Sequence, residues 1–116
     1  MIRYYSTNKK AAKLTFKEAL LKGLAPDKGL FMLDGIPAIS NEGIDSLKKK
    51  SYAETAFDIL SKFLKDEIPD KELKKLTKDA YNFEVPIEKV NEQGYIARLD
   101  RGPTASFKDF AANSEK

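Results

Sequence analysis

Along the chain, apolar positions change their spacing several times, and each change predicts a different kind of element. Residues 2–6, IRYYS, form a short β-prone run ending in polar residues, which predicts a first strand. Thr15 followed three residues later by Glu18 predicts a helix start with a capping box, Leu14 facing Ala19 as a staple and Phe16, Ala19 and Leu20 turned inward. Gly23 is placed to stop that helix, because a left-handed backbone costs glycine little, and Pro26 prevents its continuation. Pro26-Asp27-Lys28-Gly29 then reads as a turn, and Leu30-Phe31-Met32-Leu33 as a short buried strand.

After a loop marked by Gly35, Pro37 and Ser40, three helices are predicted, over 41–49, 52–65 and 70–81. Ser51 with Glu54 repeats the capping-box signature, and Ala56, Phe57, Leu60, Phe63 and Leu64 share one helical face. Pro69 suits a first turn, where its missing N–H is not needed, and Leu73, Leu76 and Ala80 supply the stripe. From Val85 the pattern turns to β: Val85-Pro86-Ile87 and Val90, a polar turn over 91–94, then a strand over Tyr95–Leu99. Asp100-Arg101-Gly102-Pro103-Thr104 breaks that strand, and Ala105 to Ala112 reads as the opening of another helix, beneath which Phe107 and Phe110 pack.

Composition narrows the chemistry. With 41% hydrophobic and 34% charged residues, the chain has the make-up of a folded globular protein. Twenty-one basic residues against eighteen acidic ones leave only +3, and the lysine runs at 48–50 and 74–75 flank helical stripes as solvated faces do. No nucleic-acid surface is therefore expected. The chain has no cysteine and no histidine, so disulfides, a Cys/His metal site and a histidine base are excluded within it. The start lacks the apolar core of a signal peptide, and no stretch approaches the roughly 18 apolar residues of a membrane span. A cytoplasmic protein with no membrane partner is expected.

The segment LDRGPTASFKDFAA, residues 99–112, resembles the cofactor-lysine segment of threonine synthases, in which a strand leads through Gly-Pro-Thr into Phe-Lys-Asp at a helix start. YYST at 4–7, FKEALLKGLAPDKGLFML at 16–33, IPAIS at 36–40, SYAETAFDIL at 51–60 and DEIPDKEL at 66–73 are similar, in order and spacing, to the amino-terminal domain of the same family. By position alone Lys108 is one surface lysine among many; the resemblance singles it out.

What the resemblance implies is specific. The family converts O-phospho-L-homoserine and water into L-threonine and phosphate with pyridoxal 5′-phosphate, on fold type II, the fold of tryptophan synthase β. Lys108 matches the lysine that forms the Schiff base, and is expected to be both the cofactor tether and the catalytic acid/base. An ordinary lysine ammonium has a pKa near 10.4, so only about one amine in a thousand is nucleophilic at neutral pH. Lowering that value by about 3 units takes roughly 4 kcal/mol, which burial or neighbouring positive charge must provide.

The expected organisation is an α+β N-terminal domain over residues 1–94, followed over 95–116 by the first strand, turn and helix of the α/β cofactor domain. The chain is accordingly expected to be an N-terminal fragment that is inactive alone, since the family's glycine-rich phosphate loop and substrate loop follow the lysine. Two departures stand out: Asn8-Lys9-Lys10 follow Thr7 where the family commonly has Arg-Gly, and Arg101 precedes Gly102 where it often has histidine. The alternatives are another fold type II enzyme, a phospholyase or dehydratase, and a non-catalytic binding module that self-associates through its exposed C-terminal strand and helix.

Overall fold

The computed structural model describes residues 1–64 and 66–112. Lys65 and residues 113–116, with which the helix expected over 52–65 and the segment expected over 95–116 end, lie outside the described residues. The elements are β1 (Tyr4–Ser6), α1 (Phe16–Lys22), β2 (Phe31–Leu33), α2 (Asn41–Leu47), α3 (Tyr52–Leu64), α4 (Asp70–Ala80), β3 (Ile87–Lys89), β4 (Tyr95–Ala97) and α5 (Asp109–Ala112). The architecture is small and α+β, with two separate two-stranded antiparallel sheets. No described helix is long and apolar enough to cross a membrane.

The first sheet pairs Tyr4 with Leu33, Tyr5 with Met32 and Ser6 with Phe31. On the other side of β1, Tyr4 exchanges backbone hydrogen bonds with Leu14, at 2.8 and 2.9 Å, so the segment before α1 lies along the strand. β2 is only half-covered: Phe31 and Leu33 turn inward, while Leu30 and Met32 are 58% and 49% exposed. This corrects the expected buried strand, because a strand in a two-stranded sheet has one face to bury and alternates across it.

At its N-terminus α1 has the capping box in full. The Glu18 amide donates to the Thr15 hydroxyl at 3.3 Å, and the Glu18 carboxylate accepts from the Thr15 amide at 2.8 Å. The remaining donors of the first turn are met from far away: the Phe16 and Lys17 amides donate to the two carboxylate oxygens of Glu67, at 2.8 and 2.9 Å. A carboxylate there satisfies two orphan amides and lies at the positive end of the helix dipole, and it ties the α3–α4 connection to the front of the chain. Gly23 closes α1 with φ at +71°, as glycine alone does without strain. Ala19 is buried but Leu20 is 65% exposed, so α1 buries a narrower stripe than Phe16, Ala19 and Leu20 together would make.

The helices α3 and α4 pack against each other. Ser51 and Glu54 bond reciprocally at the start of α3, as in α1. The most deeply buried apolar residues of the pair are Leu64 on α3 and Leu73 on α4, 7% and 2% exposed. On α4 the expected Leu76 is 50% exposed and Thr77 takes the buried place at 2%, its hydroxyl donating to the Lys74 carbonyl at 3.2 Å. Pro69 stands one residue before the helix rather than within its first turn. The lysines of these helices lie outward, as on a solvated face; the Lys74 ammonium sits 4.9 Å from the Phe57 ring centre, and Lys50, just before α3, pairs with Asp58.

The tightest polar site joins β1 to the turn before β2. Ser6 is fully buried, and its hydroxyl donates to one Asp27 oxygen at 2.6 Å while accepting from the Asn8 amide at 3.2 Å. The same Asp27 oxygen accepts from the Gly29 amide, and the other from the Lys10 amide, each at 3.0 Å. Asn8 returns a bond from its side-chain amide to the Asp27 carbonyl at 2.8 Å. Gly29 is needed because a Cβ there would lie 2.9 Å from the Asn8 amide nitrogen and closer still to the Ser6 hydroxyl.

The Ser6 hydroxyl, together with the Gly29 and Lys10 amides, holds the Asp27 carboxyl below its ordinary value against a smaller opposing effect of burial. A carboxyl depressed in the folded state contributes stability that is present above its unfolded pKa, near 3.9, and is lost as pH falls through the lower folded value. Asp27→Asn is expected to be less stable than the parent at neutral pH. In urea titrations the difference should stay constant down to about pH 5 and shrink below about pH 4, where the parent carboxylate takes up its proton. A difference that does not change with pH would show that Asp27 acts by shape alone.

Candidate functional site

Lys108 lies in the loop between β4 and the single helical turn α5, and its side chain is exposed. The helix expected from Ala105 starts only at Asp109, because the residues before it form a closed polar loop instead. The buried carboxylate of Asp109, 4% exposed, closes this loop. One oxygen accepts from the Thr104 hydroxyl at 2.5 Å and the other from the Thr104 amide at 2.8 Å. The hydroxyl of Thr104, then the amides of Thr104 and Ser106, hold the Asp109 carboxyl below its ordinary value, with burial opposing. The Lys108 amide donates to the Ser106 hydroxyl at 3.3 Å and the Asp109 amide to the Ser106 carbonyl at 3.0 Å, so Ser106 holds the turn that leads into the short helix.

Two residues of this loop have special backbones. Ala105 has φ at +55°, a left-handed conformation that a β-carbon disfavours by about 1 kcal/mol. Gly102 lies against Asp109: a Cβ at 102 would come within 2.6 Å of the Asp109 Cβ and 2.9 Å of its Cγ. Neither atom is the far end of a flexible side chain, so any larger residue must displace the carboxylate from Thr104.

The loop is anchored to the helices by an aromatic cluster. Phe110 meets Phe83 edge-on, with ring centres 5.2 Å apart at 88°, and approaches Tyr52 at 6.3 Å. Tyr52 in turn contacts Tyr81 at 4.9 Å and Phe83 at 5.9 Å. Burial and then the neighbouring Tyr81 raise the Tyr52 phenol above its ordinary value. Of the two phenylalanines expected to pack there, Phe110 does so and Phe107 does not, being 67% exposed. An open cleft lined by Tyr52, Tyr81, Phe83, Val85 and Pro86 runs beside the cluster, and Lys108 is not among its lining residues.

Before the loop, β4 pairs with β3 through Ile87–Ala97, Glu88–Ile96 and Lys89–Tyr95. Arg98 braces the exit from this hairpin. Its guanidinium binds both Asp100 oxygens, at 2.8 and 2.6 Å, and Glu88 at 2.5 Å. That contact holds the Asp100 carboxyl down at about 2. Arg101, where the family often has histidine, is 60% exposed and reaches Asp100 only at 4.0 Å.

The arrangement suits one part of the expected cofactor chemistry. It presents a primary amine on a fixed backbone, and among the described residues Lys108 has no ion-pair partner. The amides of Thr104, Ala105, Lys108, Asp109 and Phe110 all donate within the loop, so these five are engaged with its own atoms. Among the described residues no cluster of acidic side chains is placed to hold a metal ion.

The fold and this loop define a small α+β domain carrying an exposed lysine on a braced strand-to-helix turn. The chain belongs to the threonine synthase N-terminal family, whose pattern matches residues 3–81. Threonine synthase of Pseudomonas aeruginosa is 35% identical over 115 residues, covering 95% of this chain and 24% of that protein. The Schizosaccharomyces pombe enzyme is 36% identical over 116 residues, covering 95% and 23%. PLP-bound threonine synthase from Brucella melitensis superposes with a TM-score of 0.87 at 35% identity, over 94% of this chain and 25% of that one. Threonine synthase from Escherichia coli gives 0.85 at 31%, over 93% and 25%. The chain thus spans about a quarter of the length of the curated relatives it matches.

Gly102→Ala is expected to destabilise the loop by roughly 1–3 kcal/mol, as overpacking of a closed site does. Amide hydrogen exchange should localise the loss to residues 102–110, while the α3–α4 pair keeps its protection. Unchanged exchange at Thr104 would mean that the loop accommodates the methyl group.

Proposed function

We propose that this chain contributes the cofactor lysine, Lys108, to a threonine synthase active site that turns O-phospho-L-homoserine and water into L-threonine and phosphate. In this reading residues 1–94 form the front domain, and β4 through the segment ending at 116 opens the fold type II cofactor domain. The observation that carries it is the bracing of Lys108 by the residues after it: Asp109 is tied to Thr104, and Phe110 is wedged between Tyr52 and Phe83. The match to threonine synthases across most of the chain supports the same reading.

When bound, pyridoxal phosphate supplies an electron sink for charge that develops on substrate carbon. The chain's own residues do the rest of what is assigned here. Lys108 Nζ holds the cofactor and, once released from it, takes and returns protons at the substrate carbons. The loop beneath fixes the backbone from which that side chain projects, and orientation of reacting groups accounts for a large share of an enzymatic rate. Arg98, through Asp100 and Glu88, holds the strand that feeds the loop.

The test replaces the corresponding quarter of Escherichia coli threonine synthase with residues 1–116. The fused enzyme is expected to form threonine from O-phospho-L-homoserine, and Lys108→Ala to lower kcat by at least about a hundredfold. Borohydride reduction in the presence of pyridoxal phosphate should leave its mass tag on Lys108. A tag on another lysine, or on none, sinks the assignment.

A second reading is favoured by one observation. All six residues of β3 and β4 are exposed, with Ile87, Tyr95 and Ile96 at 60%, 62% and 49%, and an isolated two-stranded hairpin is only marginally stable in water. In that reading the chain is an association module whose hairpin and Phe107 pair with a second copy. Sizing chromatography of the 116-residue chain should then show a dimer that dissociates on dilution, and a monomer at every concentration rules it out.

A further inference from the structure

We propose that Asp109 is a positioning residue for Lys108, acting through Thr104 across the close approach of Gly102. The proposal rests on the assignment of Lys108 made above. A buried carboxylate is a costly way to close a surface loop, since both oxygens leave water and each must find a donor. Here both find donors on the same residue, five positions earlier, so the carboxylate closes residues 104–109 into a ring. Ala105, with its left-handed backbone at φ +55°, lies inside that ring, and the ring holds it there. Gly102 provides the space the carboxylate occupies.

The consequence for Lys108 follows from its place in the chain. Its peptide is fixed on one side by Asp109 and on the other by Ser106, whose hydroxyl and carbonyl accept from the Lys108 and Asp109 amides. The direction in which its side chain leaves the backbone is therefore set by the ring. A lysine amine stands four carbons from its Cα, so a small rotation at the backbone becomes a displacement of about an ångström at Nζ. Misplacement on that scale slows a reaction by up to about a hundredfold. The adjacent carboxylate makes no ion pair with the ammonium; both its oxygens face Thr104.

Three substitutions separate this from a loop that is merely stable. Thr104→Val removes the hydroxyl with little change of shape, Thr104→Ser restores it, and Asp109→Asn leaves one acceptor oxygen where there were two. In the 116-residue chain, hydrogen exchange at the Thr104 and Asp109 amides should speed up in the valine and asparagine variants and not in the serine variant. In the fused enzyme, the rate at which pyridoxal phosphate is captured on Lys108, read by borohydride trapping, should fall between about tenfold and a hundredfold in the same two variants. KM and the urea midpoint should change little, and serine should recover most of the rate. Capture at the parent rate in both the valine and asparagine variants overturns the proposal, and so does a serine variant as slow as valine. Failure of the unsubstituted fused enzyme to label Lys108 overturns the underlying assignment instead.

Discussion

The carboxylate of Asp27 is the contact on which the front of the molecule depends. Few side chains of this protein are deeply buried, and among the described residues the buried apolar ones are Ala19, Ala25, Leu64 and Leu73, two of them alanine. Packing of that extent cannot by itself fix how β1 lies against the turn before β2. Asp27 does so by collecting the Ser6 hydroxyl and the Gly29 and Lys10 amides on two oxygens. A carboxylate serves here because charge-assisted bonds are roughly twice as strong as neutral ones, and its several lone pairs bind donors from separate segments. The same device recurs where Glu67 meets the Phe16 and Lys17 amides, where Asp34 accepts from the Arg3 amide, and where Asp109 meets Thr104.

This dependence on carboxylates explains what could be read from the sequence and what could not. Both capping boxes, the glycine end of α1 and the three central helices were legible, because each signal lies within a few residues of the structure it specifies. Asp27 was visible as a turn residue, and Glu67 only as a member of the family-like stretch DEIPDKEL. Asp27 reaches Ser6 across 21 residues and Glu67 reaches α1 across 50 or more, and no local pattern encodes such a bond. Leu20 and Leu76 were misjudged for a related reason: helical periodicity identifies a face, but the width of the buried stripe depends on what covers it. Thr77 could be buried in place of Leu76 because its hydroxyl is satisfied within its own helix.

The lysine loop was legible in part. Lys108 stood out by resemblance, and the strand before it by pattern, but the closed loop between them was read as helix. Ala, Ser, Phe, Lys and Asp in a row carry no breaker, and the signals that overrule them are Gly102 and the pairing of Thr104 with Asp109. Seen this way, Gly-Pro-Thr and Phe-Lys-Asp are not two motifs. The glycine makes room for the aspartate, the threonine binds it, and the lysine and phenylalanine on either side of the aspartate are set by that bond.

The loop also separates two requirements of a cofactor lysine. Fixing the backbone from which the side chain leaves needs only local bonds, and residues 102–110 contain them. Lowering the affinity of such an amine for a proton needs burial or positive charge around it. The two requirements can therefore be met by different parts of a protein, one supplying direction and the other environment. A loop whose amides are already engaged with its own atoms is well suited to the first task, because it keeps its shape whether or not the second is fulfilled.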